Sequence, residues 1–164
     1  MKSIFFFAFI LINFLSLNVK ADIAYIDIKQ ILKTSEVGKY LNLHIQKKNT
    51  EYSKKFKLIE NELIQKEKSL LAQQNILNKD DFDSKLKILT KEVQEYRKDK
   101  KTKIDNLNQF RIDKTKEILK ELNPIITNFV ETNSISIVIP KKNIIVGKKN
   151  LDITDKILKL LNEN

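Results

Sequence analysis

Apolar residues recur at helical spacing through one long stretch of the chain, Glu36 to Val130. The stripe reads Leu41, Ile45, Tyr52, Phe56, Ile59, Leu63, Leu70 and Leu77. After one interruption it continues as Phe82, Leu86, Leu89, Val93, Tyr96, Ile104, Leu107, Ile118 and Leu122. Steps of three, four and their sums put these residues on one face of a helix. The stretch holds no glycine after Gly38, and its one proline, Pro124, lies near its end. The interruption, Asn78-Lys79-Asp80-Asp81, carries N-capping side chains and first-turn acids, which favour the start of a new helix. The pattern predicts two long helices folded back on each other with a turn near residues 78–81. Fully helical, Glu36–Leu77 would measure about 63 Å and Asp81–Glu131 about 76 Å.

The remaining elements are short and lie at the two ends of the hairpin. Ile23 to Ile28 alternates as a strand, and a strand this short must pair with something distant in sequence. Lys29 to Lys33 has room for one helical turn. Thr34-Ser35-Glu36 then offers an N-cap for the first long helix. Asn123-Pro124 predicts a kink or a restart in the second. Ile135 to Ile139 is strand-like, Pro140 to Asn143 is a turn, and Asn143 to Val146 reads as a second strand ended by Gly147. These two strands would form a hairpin that accepts the N-terminal strand, giving a three-stranded sheet. A last helix begins near Asp152-Ile153-Thr154, with Asp152 or Thr154 as its cap and Ile157, Leu158, Leu160 and Leu161 as its apolar face. The expected class is α+β: a long antiparallel helical hairpin, residues 36–130, projecting from a small β-rich body built from residues 22–35 and 131–164. The candidate core of that body is Ile26, Ile28, Ile135, Ile137, Ile139 and Ile145.

The first residues, 1–21, read as a cleaved signal peptide. Lys2 supplies the positive start, Ile4 to Leu17 the apolar run, and Val19-Lys20-Ala21 a small-x-small cleavage site before Asp22. The run is short of the roughly 20 residues that a spanning helix needs. Export places the mature chain in the periplasm of a bacterium, or beyond, where no ATP is available. The net charge of +10 falls to +8 once Lys2 and Lys20 are removed. A positive balance favours acidic partners. It is spread thinly, with 21 Lys/Arg against 15 Asp/Glu between Glu36 and Val130.

Enzyme chemistry has little to work with. The chain has no cysteine and one histidine, His44, beside the first stripe. One imidazole without thiolate partners is neither a metal site nor part of a catalytic triad. With two glycines in all, there is no phosphate-binding loop. The carboxylates sit on helices among lysines, as solvated ion-paired faces do. No enzyme activity, cofactor or metal is expected. A nucleic-acid role is also disfavoured, because no aromatic residues interleave the densest basic run, Arg97 to Lys103.

The two ends resemble a known family. Ile23-Ala24-Tyr25-Ile26-Asp27-Ile28, then Gln30-Ile31-Leu32 and Ser35-Glu36-Val37-Gly38-Lys39, is similar to the opening of the Skp/OmpH family of periplasmic chaperones. Ile137-Val138-Ile139, Asn143-Ile144-Ile145 and Asp152-Ile153-Thr154-Asp155-Lys156-Ile157-Leu158 are similar to its close. The resemblance implies a homotrimer whose β body carries three helical arms around a cavity. That cavity would hold unfolded outer-membrane proteins without ATP. It further implies affinity for lipopolysaccharide or an anionic membrane surface. The number three comes only from the resemblance; the stripe itself shows only that burial is needed. The candidate client-binding residues are Tyr52, Phe56, Phe82 and Tyr96 for apolar contact, and Lys98, Lys100, Lys101 and Lys103 for charge. The same aromatic residues could instead zip the two arms together. The competing function is a coiled-coil spacer of the cell envelope without chaperone activity, which would have no need of the terminal sheet.

Overall fold

A computed structural model describes residues 22–163. The predicted leader, residues 1–21, lies outside the described residues. Strand β1 (Asp22–Ile26) leads into a short helix, α1 (Ile28–Thr34), and then into the first arm, α2 (Glu36–Ala72). The second arm, α3 (Lys79–Thr132), returns to strand β2 (Ile135–Pro140), and helix α4 (Thr154–Asn162) closes the chain. The 37 residues of α2 and the 54 of α3 span about 56 Å and about 81 Å. No helix among the described residues is long and apolar enough to cross a membrane.

Local chemistry sets each boundary. Ser35 ends α1 through its own N–H, which donates to the Ile31 carbonyl, and caps α2 by accepting from the Gly38 N–H at 3.1 Å. Asn78 caps α3, accepting from the Asp81 N–H at 2.9 Å, with Asp80 and Asp81 in the first turn. The helix runs unbroken through Pro124, so the restart predicted there does not occur.

The body holds less sheet than the sequence suggests. β1 and β2 pair in parallel, Ile23 opposite Ile137 and Tyr25 opposite Ile139, with an irregularity at Asp22/Ile23. The predicted second strand at Asn143–Val146 is not formed. Pro140 ends β2, and Lys141–Asn143 turns as a 3-10 segment. β1 gains a single parallel bridge to Asp152: the Ile153 N–H donates to the Tyr25 carbonyl at 3.0 Å. The expected three-stranded sheet with its hairpin is therefore a two-stranded parallel one. In the single chain Ile145 and Val146 project fully into solvent, at 101% and 89% exposure.

One core joins the body to the arm roots. Ala24, Ile26, Ile31, Ile153, Ile157 and Leu161 pack with Leu41 and Ile45 of α2 and with Ile118 and Leu122 of α3. Ile28 and Ile135 pack at its margin. Ile139 is half-buried, while Ile137 is half exposed, and neither it nor Ile145 belongs to the chain's own core. Beyond the roots, burial along the arms falls to islands around Phe56 and Leu70. A pair of helices this thin has no third element to cover its seam, so most stripe positions stay half open.

Candidate functional site

The seam between the arms is the surface available for binding, and it is built differently along its length. At mid-arm, Phe56 is buried and meets Tyr96 edge-on, with ring centroids 6.1 Å apart. Tyr52 stacks behind Phe56 at 6.0 Å. The Lys100 ammonium lies 5.5 Å from the Phe56 ring centroid and 5.7 Å from that of Tyr96, a distance at which a cation is drawn to the ring face. Glu60 completes the cluster. Its Oε1 accepts from the Tyr96 hydroxyl at 2.5 Å and from the Lys100 Nζ at 2.7 Å.

The electrostatics follow from these contacts. Hydrogen bonds from Lys100 and then Tyr96 hold the Glu60 carboxyl below the ordinary carboxylate value. The same bond to Glu60, then that to Tyr96, raises the Lys100 ammonium. Burial, followed by the bond to Glu60, raises the Tyr96 phenol. Five side chains from two helices, Tyr52, Phe56 and Glu60 of α2 and Tyr96 and Lys100 of α3, thus form one clasp.

Toward the tip the seam opens. A groove of about 680 Å³ runs between the arms, with Phe82 half-buried in its wall. Ile64, Leu71 and Leu86 line it and remain 45%, 58% and 45% exposed. Lys66 bridges to Glu92 at 2.6 Å, and Lys85 to the Gln73 side chain at 3.1 Å. Polar ties at the edges with an apolar floor between them leave surface for a segment that brings its own apolar side chains.

The candidate residues named from sequence therefore divide. Tyr52, Phe56, Tyr96 and Lys100 come together in the clasp, where they face each other. Phe82 lies apart from them, in the distal groove. Lys101 pairs with Asp105, and Lys103 with Asp99, both within α3. Lys98 is exposed. Glu60 is the residue that sequence reasoning missed. Its signal was its spacing, since a residue four positions after Phe56 shares its helix face. His44 packs against Phe110 at 5.3 Å between ring centroids, near the arm root.

Among the described residues, no group of three or more His, Cys, Asp or Glu is placed to hold a metal ion. A family model described as Outer membrane protein (OmpH-like) matches residues 22–161. The chain belongs to this OmpH-like family. The resemblance read from its two ends is thereby confirmed. The curated proteins yield no match to this OmpH-like sequence. Among solved structures, it is similar to an OmpH-like protein of Caulobacter crescentus CB15, described there as a candidate outer membrane chaperone. The two share 14% sequence identity with a TM-score of 0.78, over 88% of this chain and 86% of that one. At that identity the likeness concerns the fold: long paired helices on a small body.

Proposed function

We propose that this OmpH-like protein is an ATP-independent periplasmic holdase. It binds unfolded outer-membrane proteins and prevents their aggregation in transit. The observation that carries this reading is the distal seam. Its apolar floor is left partly open, with Ile64, Leu71 and Leu86 exposed and Ile76 at the bend 80% exposed. An unfolded client needs many weak, replaceable apolar contacts, whose sum gives slow release without a chemical energy source. The net positive chain attracts an acidic client within about a Debye length, roughly 8 Å at physiological salt.

A homotrimer is part of the same reading. A two-stranded sheet is marginal alone, and among the described residues β2 pairs only with β1. Asn143–Val146 has the β-branched composition of a strand, while Ile145 and Val146 lie bare. We read this segment as a strand that forms against a neighbouring copy, where Ile137 and Ile145 would then be covered.

The test is dilution of a urea-unfolded outer-membrane β-barrel protein into buffer containing the mature chain and no nucleotide, followed by light scattering. Suppressed aggregation at about three chains per client, the stoichiometry of one trimer, is expected. Unchanged scattering from a well-folded sample would favour the envelope spacer instead, and would mean that fold had been kept without function.

A further inference from the structure

Near the arm root the seam carries a second groove, unlike the distal one. It encloses about 590 Å³ between the start of α2 and the returning part of α3. Leu41 and Ile118 line it and are buried, while Val37, Tyr40 and Phe110 line it at 40%, 74% and 37% exposure. His44, packed against the Phe110 ring, faces the same space. The charged residues of the groove are Glu36, Glu117 and Glu121 against one lysine, Lys114.

That balance runs against the chain, whose net charge is +10. Lys114 is engaged by Glu117 at 2.6 Å. Glu36 and Glu121 are exposed, and neither belongs to an ion pair among the described residues. The rings are open in the same sense. Lysine ammonium groups lie over Phe56, Tyr96, Tyr25 and Phe129, whereas among the described residues no such contact involves Tyr40 or Phe110. At mid-arm, by contrast, Lys57 and Lys100 surround Glu60 in the seam. Two free carboxylates beside two open rings over an apolar floor make a seat for a cation that carries apolar surface with it.

We infer that the arm-root groove binds cationic, apolar segments of unfolded polypeptide, in which Lys or Arg alternate with aliphatic or aromatic residues. The groove runs about 12 Å along α2, from Glu36 to His44, and about 17 Å along α3, from Phe110 to Glu121. That is the length of about four or five residues of extended chain. One set of alternate side chains would cover Leu41 and Ile118. The other would lay its methylene stems along Val37 and Tyr40 and bring its charged ends to Glu36 and Glu121. The net positive chain attracts acidic stretches, so a client carrying both signs would be held at two places. That the segment comes from a client rests on the holdase reading; the chemistry of the groove does not.

The test uses the full mature chain and fluorescence anisotropy of short labelled peptides. One alternates leucine with lysine, and a second has serine in place of leucine. The groove variant carries Glu36→Gln, Glu117→Gln and Glu121→Gln. The control carries Glu62→Gln, Glu95→Gln and Glu131→Gln, the same change of net charge at exposed acids outside the groove. The groove variant is expected to lose affinity for the leucine–lysine peptide by about fivefold or more, and the control by about twofold or less. Tyr40→Ala leaves every carboxylate in place, is expected to lose a comparable amount, and decides the matter should the groove variant lose helicity. The serine–lysine peptide is expected to bind the wild type about tenfold more weakly than the leucine–lysine one. Equal losses in groove variant and control would overturn the inference, as would unchanged affinity in the groove variant or equal binding of the two peptides. Displacement of the leucine–lysine peptide by an equal concentration of spermidine would also overturn it, in favour of a site for free polyamines. So would a wild type that binds no peptide while the groove variant sediments as a smaller species, which would make the groove a contact between copies. Aggregation suppression by the wild type is measured in parallel. Its absence with the peptide results intact would remove the holdase reading and leave the specificity of the groove standing.

Discussion

The Thr154 hydroxyl accepts a hydrogen bond from the backbone N–H of Asp27 at 2.9 Å, joining residues 127 positions apart. The same hydroxyl donates to Asp152, whose Oδ1 also accepts from the Thr154 N–H. Asp27 in turn caps α1, accepting from the Gln30 N–H at 2.9 Å. The start of α1 and the start of α4 are thus fastened to each other through one buried threonine. Both ends of the chain are held together there, and the arm roots pack on the same core.

Thr154→Val keeps the shape and removes the hydroxyl. The part-buried Asp27 N–H then loses its acceptor, and Asp152 loses a donor. An unsatisfied buried group costs about 1–3 kcal/mol, so urea unfolding of the variant should show a loss in that range. A loss near zero would mean that water reaches Asp27 and the junction is looser than its geometry implies.

Gly38 is set by a close approach. A Cβ built on it would lie 2.1 Å from the Leu32 carbonyl oxygen and 2.8 Å from Ser35 Oγ. Gly38→Ala has two opposing effects. Helix propensity would gain about 1 kcal/mol. The clash is with backbone and forces α1 away from α2, a strain typically of about 1–3 kcal/mol and here at its upper end. Net destabilisation is therefore expected, seen as a lower urea midpoint, and a stabilised variant would contradict the contact.

The arms are legible in the sequence and the sheet is not, and the reasons are physical. A stripe such as Leu41, Ile45 and Phe56 repeats its signal every turn, and its partner helix is the next element. The cap at Asn78 is equally local. Strand pairing depends on which edge is available. Asn143–Val146 has strand-like residues, yet among the described residues it pairs with neither β2 nor β1, and the extra bridge to β1 is made by Asp152. The clasp is intermediate in this respect. The sequence marks Phe56, Tyr96 and Lys100 as candidates for client contact, but their meeting around Glu60 depends on the register between two helices. No single helix carries that register.

Phe56→Ala removes the ring at the centre of the clasp. Deleting a buried phenylalanine costs about 3–5 kcal/mol in a full core. On a two-helix seam the lower end is expected, and the loss is confined to the arm because the body core does not touch Phe56. Hydrogen exchange should therefore quicken in α2 and α3 beyond the clasp, while amides of α1, β1 and α4 keep their protection. A uniform loss throughout the chain would show that arm and body unfold as one unit.

Acid should loosen the clasp. Glu60 is held below the ordinary carboxylate value by Lys100 and Tyr96. A depressed carboxyl contributes stability that is present above the unfolded value, about 4.3 for Glu, and is lost as the pH falls through the folded value. Lys100 is raised by the same bond, so its contribution is complete at neutral pH and is lost only as the pH climbs through its folded value, above about 10.4. Between those limits the clasp is at full strength. Glu60→Gln should lower arm protection at pH 7, and the difference from wild type should close as the pH falls through the folded value of Glu60. Asp152 follows the same direction for a different reason. Burial pushes its carboxyl up, but bonds from the Thr154 hydroxyl and N–H and from Lys141 outweigh that and leave it below the ordinary value. A difference between wild type and Glu60→Gln that did not shrink at any acid pH at which the chain stays folded would show that the charge of Glu60 is not what holds the arms there.

Ile145→Asp separates assembly from folding. The side chain is fully exposed in the single chain, so the substitution should leave urea unfolding of the isolated chain within about 0.5 kcal/mol, as for exposed sites generally. If Asn143–Val146 adds to the sheet of a neighbouring copy, the buried carboxylate would be costly there. Sedimentation should then shift from an oligomer toward the monomer at concentrations where the wild type remains assembled. An oligomer unaffected by Ile145→Asp would place the subunit contact elsewhere, leaving the exposed edge of β2 and the half-exposed Ile137 as the next surface to mutate.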